Sequence, residues 1–417
     1  MKILLVCLRF PFPPSDGGTI AMFNMANSLK KAGAEVKIIA FNTKKHFVDP
    51  EKVPEQFRFD FKPEAVYLDA SVKILPAFLN LFTTKSYNIS RFDVPEFHVL
   101  IRDVLQKEKF DYVQLESLFV TPYIGTIKKY SSASIIFRAH NVEYIIWERL
   151  SNSESNPIKK WYLKKLAFRL KRYEISTLSK FNAIVALTED DKVHFRASGI
   201  DIPLLIAPIG LDMENYPVAE IYKSTLTVFH LGSMDWLPNI EGVDWFLQHV
   251  FPLLKKNNPE ITIHLAGKSM PQRFFELADE QLHVSGRIDD SRKFMHEKSI
   301  MIVPLLSGGG MRVKIIEGFA MGKVIISTTI GAEGIKYTNQ KNILIADSPV
   351  EFYEAIVKCV SDLEYCKNLG TEARNLALDV YENRIVGTQL VHFYNSIKAN
   401  ADSIHQFEKP DSEISIH

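Results

Sequence analysis

At 417 residues the chain is longer than one ordinary hydrophobic core accommodates, so two domains of about 200 residues each are expected. Lysine and arginine number 50 against 49 acidic residues, which excludes a uniformly basic nucleic-acid protein, and 46% hydrophobic residues exclude a disordered chain. The three cysteines, Cys7, Cys359 and Cys366, have neither metal-ligand nor redox spacing and do not suit a disulfide framework, so a reducing, cytoplasmic compartment fits them best.

The opening Met1-Lys2-Ile3-Leu4-Leu5-Val6-Cys7 is too short an apolar run for a signal-peptide core or a membrane span, and it reads as a buried first strand. Short apolar runs then alternate with segments of helical period. That is the pattern of parallel strands joined by crossover helices, so the class is α/β with doubly wound, Rossmann-like domains. In the first half, strands are expected at residues 3–6, 36–41, 112–115, 135–138 and 183–187, and helices near 19–31, 95–107 and 159–179. Gly17 and Gly18 fall between the first strand and the first helix. Their amides could approach a phosphate there, or Asp16 could simply cap the helix. Residues 157–173 hold seven cations and no acid. This stretch reads either as an amphipathic helix in peripheral contact with an anionic membrane or as a core-packed helix with a solvated basic face.

Pro208, Gly210 and Pro217 interrupt both periodicities and mark a linker at residues 208–224, between an N-terminal domain at 1–207 and a C-terminal one at 225–382. A second series of strands is expected at 227–231, 262–266, 300–303, 324–327 and 342–345. A terminal helix at 383–400 is a candidate to cross back to the first domain, and 401–417 reads as a frayed tail. Open parallel sheets bind ligands at the carboxyl ends of their strands, so chemistry is expected there.

The most informative segment is Ser307-Gly308-Gly309-Gly310-Met311-Arg312-Val313-Lys314-Ile315-Ile316-Glu317, which follows an apolar strand ending at Pro304. Three glycines let backbone amides approach a ligand, and the helix they open presents unpaired N–H groups and a positive dipole end to an anion, as a diphosphate requires. Arg312 and Lys314 in the first turn oppose that dipole unless an anion binds. Glu317 is placed to accept vicinal ribose hydroxyls. Ser285-Gly286-Arg287-Ile288 is either a nucleobase-binding turn that uses the main chain of Arg287 and Ile288, or an ordinary strand-to-helix turn. No Asp-x-Asp triplet occurs and the histidines are not spaced as ligands, so neither a metal site nor a cofactor is expected.

The run 310–322, followed by Val324-Ile325-Ile326-Ser327-Thr328 and Gly331-Ala332-Glu333-Gly334, resembles the donor-site signature of family 4 (group 1) retaining glycosyltransferases of the GT-B fold. Weaker similarity runs over residues 1–398. It includes Asp16-Gly17-Gly18, Phe137-Arg138-Ala139-His140-Asn141, Val185-Ala186-Leu187-Thr188-Glu189, Pro208-Ile209-Gly210-Leu211-Asp212 and the loop 231–239. The resemblance implies two Rossmann-like domains facing a cleft and a nucleoside diphosphate sugar as donor. It further implies a glycan, lipid-linked or small-molecule acceptor, and transfer with retention of anomeric configuration and no required metal. It assigns His140 a contact to the donor sugar; Arg312 and Lys314 would stabilise the leaving diphosphate, with Gly308, Gly309, Gly310 and Met311 lining the donor turn.

Two departures stand out. The first of the paired glutamates of many family members falls at Gly309, and Ser233 and Asn239 occupy the loop after the first C-domain strand where members carry an arginine and a lysine. Arg312 and Lys314 could supply that charge from another direction. The alternative is a catalytically inactive nucleotide-sugar-binding subunit that acts with a partner.

Overall fold

A computed structural model describes residues 1–73, 79–80, 82–218 and 227–407, with backbone alone for 399–407. The chain forms two compact units, Met1–Gly210 with Asn383–His417, and Leu211–Glu382. Strands of the first unit are β1 (Lys2–Cys7), β2 (Glu35–Thr43), β3 (Glu64–Leu68), β4 (Tyr112–Glu116), β5 (Ser134–Ala139), β6 (Ala183–Ala186) and β7 (Leu204–Ile206). Those of the second are β8 (Val228–Leu231), β9 (Ile263–Ala266), β10 (Leu282–Ser285), β11 (Ile300–Val303), β12 (Val324–Ser327) and β13 (Leu344–Ile345). Helices of eight residues or more are α1 (Gly17–Lys31), α2 (Pro95–Lys107), α3 (Glu143–Ser153), α4 (Pro157–Leu178), α5 (Glu189–Ala197), α6 (Leu237–Trp245), α7 (Val313–Ala320), α8 (Pro349–Ser361), α9 (Leu363–Tyr381) and α10 (Asn383–Phe407).

The sheets run β3-β2-β1-β4-β5-β6-β7 and β10-β9-β8-β11-β12-β13, parallel throughout. The central strands are apolar on both faces because helices cover both: in β1, Leu4 and Val6 enter one core and Ile3, Leu5 and Cys7 the other. Each unit is thus a three-layer, Rossmann-like α/β domain.

The last helix belongs to the first unit. Val386, Leu390, Tyr394 and Ile397 of α10 are buried in the core that α1 shares, and Ser28 Oγ donates to Asn383 Oδ1 at 2.8 Å. Gly387 makes this possible, since a Cβ there would strike the carbonyl oxygen of Ser28.

Several expectations need correction. The helix expected to end at residue 400 continues to Phe407, because residues 399–407 contain neither proline nor glycine to stop it; of the expected tail, 408–417 lie outside the described residues. Of the stretch read as linker, Leu211, Met213 and Tyr216 pack in the core of the second unit, and 219–224 lie outside the described residues. β3, β7 and β10 were not anticipated. All three are edge strands: β3 is half-exposed, β10 carries exposed His283 and Ser285, and β7 is apolar but only three residues long. Only Leu344–Ile345 of the strand expected at 342–345 forms.

Candidate functional site

In the second unit the strand order reverses between β8 and β11, with β9 and β10 to one side and β12 and β13 to the other. The loops that leave the carboxyl ends of β8 and β11 diverge at this point, where open parallel sheets bind their ligands. The β8 loop leads through Gly232, Ser233 and Trp236 into α6. The β11 loop leads through Ser307 and the three glycines into α7.

Side chains hold the two loops in register. Ser307 Oγ donates to Glu241 Oε2 of α6 at 2.7 Å, and Asn239 Nδ2 donates to the Ser233 carbonyl at 2.8 Å. The Arg312 guanidinium lies 4.8 Å from the centroid of the Trp236 ring, a cation–π contact from one loop to the other. Gly308 has φ of 111°, and a Cβ there would stand 2.7 Å from the same indole, so conformation and space both require glycine.

Arg312 is the N-cap of α7 rather than a residue of its first turn, which corrects the expected placement by one position. Its Nη1 donates to the carbonyls of Gly309 and Gly310 and so ties down the glycine turn. Lys314 is in the first turn. Its Nζ lies 2.8 Å from Glu317 Oε2 and 3.5 Å from Ser291 Oγ. Glu317 is buried, and its other oxygen accepts the Tyr216 hydroxyl at 2.9 Å. The carboxylate expected to face a ribose therefore has a partner at each oxygen. Burial and the adjacent Glu317 charge push the Tyr216 phenol well above its usual range.

Met311 is half-buried against the core of this unit. At the end of β10, Arg287 is exposed and Ile288 half-buried, while the Gly286 carbonyl accepts the Gly267 N–H at 3.0 Å and joins the β9 and β10 loops. Lys268, after β9, pairs with Asp235 of the β8 loop at 2.8 Å. Tyr216, Trp236, Glu241 and Lys268 were not singled out from the sequence. Tyr216 fell in the proline-bounded linker stretch, Trp236 lay in the loop 231–239 without a role of its own, and Glu241 and Lys268 carry no local signal.

In the first unit the order reverses between β1 and β4. Gly17 and Gly18 are the first residues of α1, not a turn before it. Asp16 is the N-cap, and the Gly18 amide donates to Asp16 Oδ1 at 3.0 Å, so the cap already uses it. Arg9 grips the same carboxylate with both terminal nitrogens, at 2.9 and 2.8 Å. The Asp16 cap thus accounts for the Gly18 amide.

Glu116, the last residue of β4, is fully buried. Its Oε2 lies 2.8 Å from His140 Nε2 and 3.6 Å from Arg138 Nε, and its Oε1 accepts from Gln114 Nε2. Gln114 Oε1 in turn accepts the Tyr394 hydroxyl of α10. Burial pulls the Arg138 guanidinium below its usual range, with the Glu116 charge opposing it. If His140 Nε2 carries the proton given to Glu116, Nδ1 is an acceptor for a hydroxyl. Polar residues within an otherwise buried strand, Gln114-Leu115-Glu116, were the sequence signal for this network. Beside it, Glu174 of α4 accepts the N–H groups of Glu143 and Tyr144 at 3.2 and 3.0 Å, and so caps α3.

Comparison with known proteins gives this geometry a context. Residues 225–362 match the family model described as "Glycosyl transferases group 1". A protein of Klebsiella pneumoniae described as an "Uncharacterized 44.6 kDa protein in cps region" is 23% identical over 399 residues, 92% of this chain and 97% of its own. Sucrose-phosphate synthase from Thermosynechococcus elongatus superposes with a TM-score of 0.70 at 13% identity, over 96% of this chain and 100% of that one. Anabaena HepE, solved with UDP and glucose, gives 0.64 at 13% identity, over 95% and 100%. The match to this family model lies within the second unit, and the two Rossmann-like domains have the GT-B fold of these solved structures.

Proposed function

We propose that the protein is a retaining, metal-independent glycosyltransferase that moves a sugar, a hexose or a close relative, from a nucleoside diphosphate donor to an acceptor hydroxyl. The observation that carries this reading is the glycine turn 308–310, which opens α7 at the strand-order reversal and is bordered by Arg312 and Lys314. Amides at a helix start and two cations suit a diphosphate whose charge grows as the glycosidic bond loosens. Arg312 reaches Trp236 of the β8 loop, which supports its replacing the loop cation that family members carry near Ser233.

Glu317 fits the ribose role in a particular way. Ribose hydroxyls would take the Oε2 position now held by Lys314, freeing that ammonium for the diphosphate, while Tyr216 keeps Oε1 fixed. The main chain at Arg287 and Ile288 is assigned to the base, and His140, oriented by Glu116, to a hydroxyl of the donor sugar. Front-face attack by the acceptor agrees with Gly309, which leaves no carboxylate at that point of the turn. UDP in the HepE structure makes UDP-sugars the first donors to test, and the cps-region relative favours a glycan or lipid-linked acceptor in polysaccharide synthesis. A cytoplasmic location is part of this proposal.

The reading is tested by Arg312→Ala and Lys314→Ala. Each should lower kcat by roughly a hundredfold, more than it weakens donor binding, and should also lower the melting temperature modestly, since Arg312 ties down the glycine turn and Lys314 pairs with buried Glu317. Normal turnover in the double variant would remove both residues from the mechanism.

A further inference from the structure

α4 buries Leu163, Leu166, Ala167, Leu170 and Glu174 on one face. On the opposite face, Ile158, Trp161, Lys165, Phe168 and Arg172 recur at intervals of three and four and form a single stripe. Its apolar members are far out in solvent: Ile158 is 78% exposed, Trp161 57% and Phe168 61%. Cations are interleaved with them. Lys165 Nζ lies 5.4 Å from the Trp161 ring centroid, and the Arg172 guanidinium 6.0 Å from that of Phe168. The stripe contributes nothing to the core of its own unit, and no element of the proposed transfer site uses it.

We propose that this stripe docks the protein on an anionic lipid surface. The first argument is charge. Residues 157–173 hold seven cations and no acid in a chain whose net charge is only +1; Lys159 and Lys171 pair with Glu154 and Glu148, while Lys164, Lys165 and Arg172 flank the apolar stripe. A second copy of the chain would present the same cations and be repelled. The second argument is the side-chain chemistry. An indole, a phenyl ring and an isoleucine in one line match the depth of the headgroup and acyl boundary, and lysine and arginine stems can lie along apolar surface while their heads reach lipid phosphates. The third is the depth available. No helix among the described residues is long and apolar enough to cross a membrane, so α4 would lie in the interface plane. The inference rests on α4 alone and stands independently of the transfer reaction.

Sedimentation of the full chain with phosphatidylcholine vesicles, with and without phosphatidylglycerol, tests it. Binding is expected only when phosphatidylglycerol is present, and it should weaken as salt is raised. Trp161→Ala with Phe168→Ala, and separately Lys164→Gln, Lys165→Gln and Arg172→Gln together, should each weaken binding by about tenfold or more. Melting temperature should stay within a few degrees of wild type, since all five side chains point away from the core. Equal binding to both vesicle types, binding to neither, or binding undiminished in either folded variant overturns the proposal.

Discussion

Glu116 is a residue on which two roles converge. It is the counter-charge for fully buried Arg138 and the hydrogen-bond partner of His140. Removing one member of a buried ion pair leaves the other uncompensated, typically at about 3–5 kcal/mol. Glu116→Ala should therefore cost about 3 kcal/mol in chemical denaturation, and Arg138→Met in the same background should recover much of it by removing the stranded guanidinium. A loss below about 1 kcal/mol for the single change would mean that Glu116 does not compensate Arg138. Sequence reasoning singled out His140 but not its partner, because Glu116 and His140, 24 positions apart, are brought together by the pairing of β4 with β5. Glu317 shows the same limit. Its place on α7 could be read from spacing, but Tyr216, 101 residues away, could not.

At the scale of elements, the α3–α4 pair holds a titratable joint. Burial and the charge of Glu143 push the Glu174 carboxyl up to about 8, against the backbone N–H groups it accepts, and burial pushes Glu143 up to about 7. Above the unfolded value of about 4.3 the unfolded chain releases these protons, whereas the folded chain keeps them until its raised values are reached. The unfolded state then binds fewer protons, so this joint makes stability fall as pH rises from about 5 to 8. Glu174→Gln should flatten that fall, although Glu143 and Asp191, also raised by burial, leave part of it. Melting temperatures at intervals of pH would show it, and an unchanged slope would remove Glu174 from the joint. Apolar periodicity made the central strands and long helices legible, with 300–303, 324–327 and 95–107 matching β11, β12 and α2 end for end. It failed at the edge strands, where a short half-exposed run such as Glu64–Leu68 has no such pattern. The glycine turn was legible for a different reason: its backbone demands restrict residue type directly, as Gly308 shows.

For the whole molecule, the chemistry of transfer is the central claim of the proposal. The two doubly wound sheets and the family match at 225–362 are consistent with either stereochemical course, and the proposal of retention rests on the resemblance of the 310–322 run. A thermal-shift screen of nucleotide sugars would identify the donor, since a ligand that binds only the folded state raises its melting temperature. Proton NMR of the first-formed product from that donor, in excess chelator, then tests the claim most directly. The account predicts a product with the anomeric configuration of the donor, formed at the rate seen without chelator, because Arg312, Lys314 and the turn amides carry the leaving-group charge. An inverted product, or transfer abolished by chelator and restored by magnesium, would contradict it.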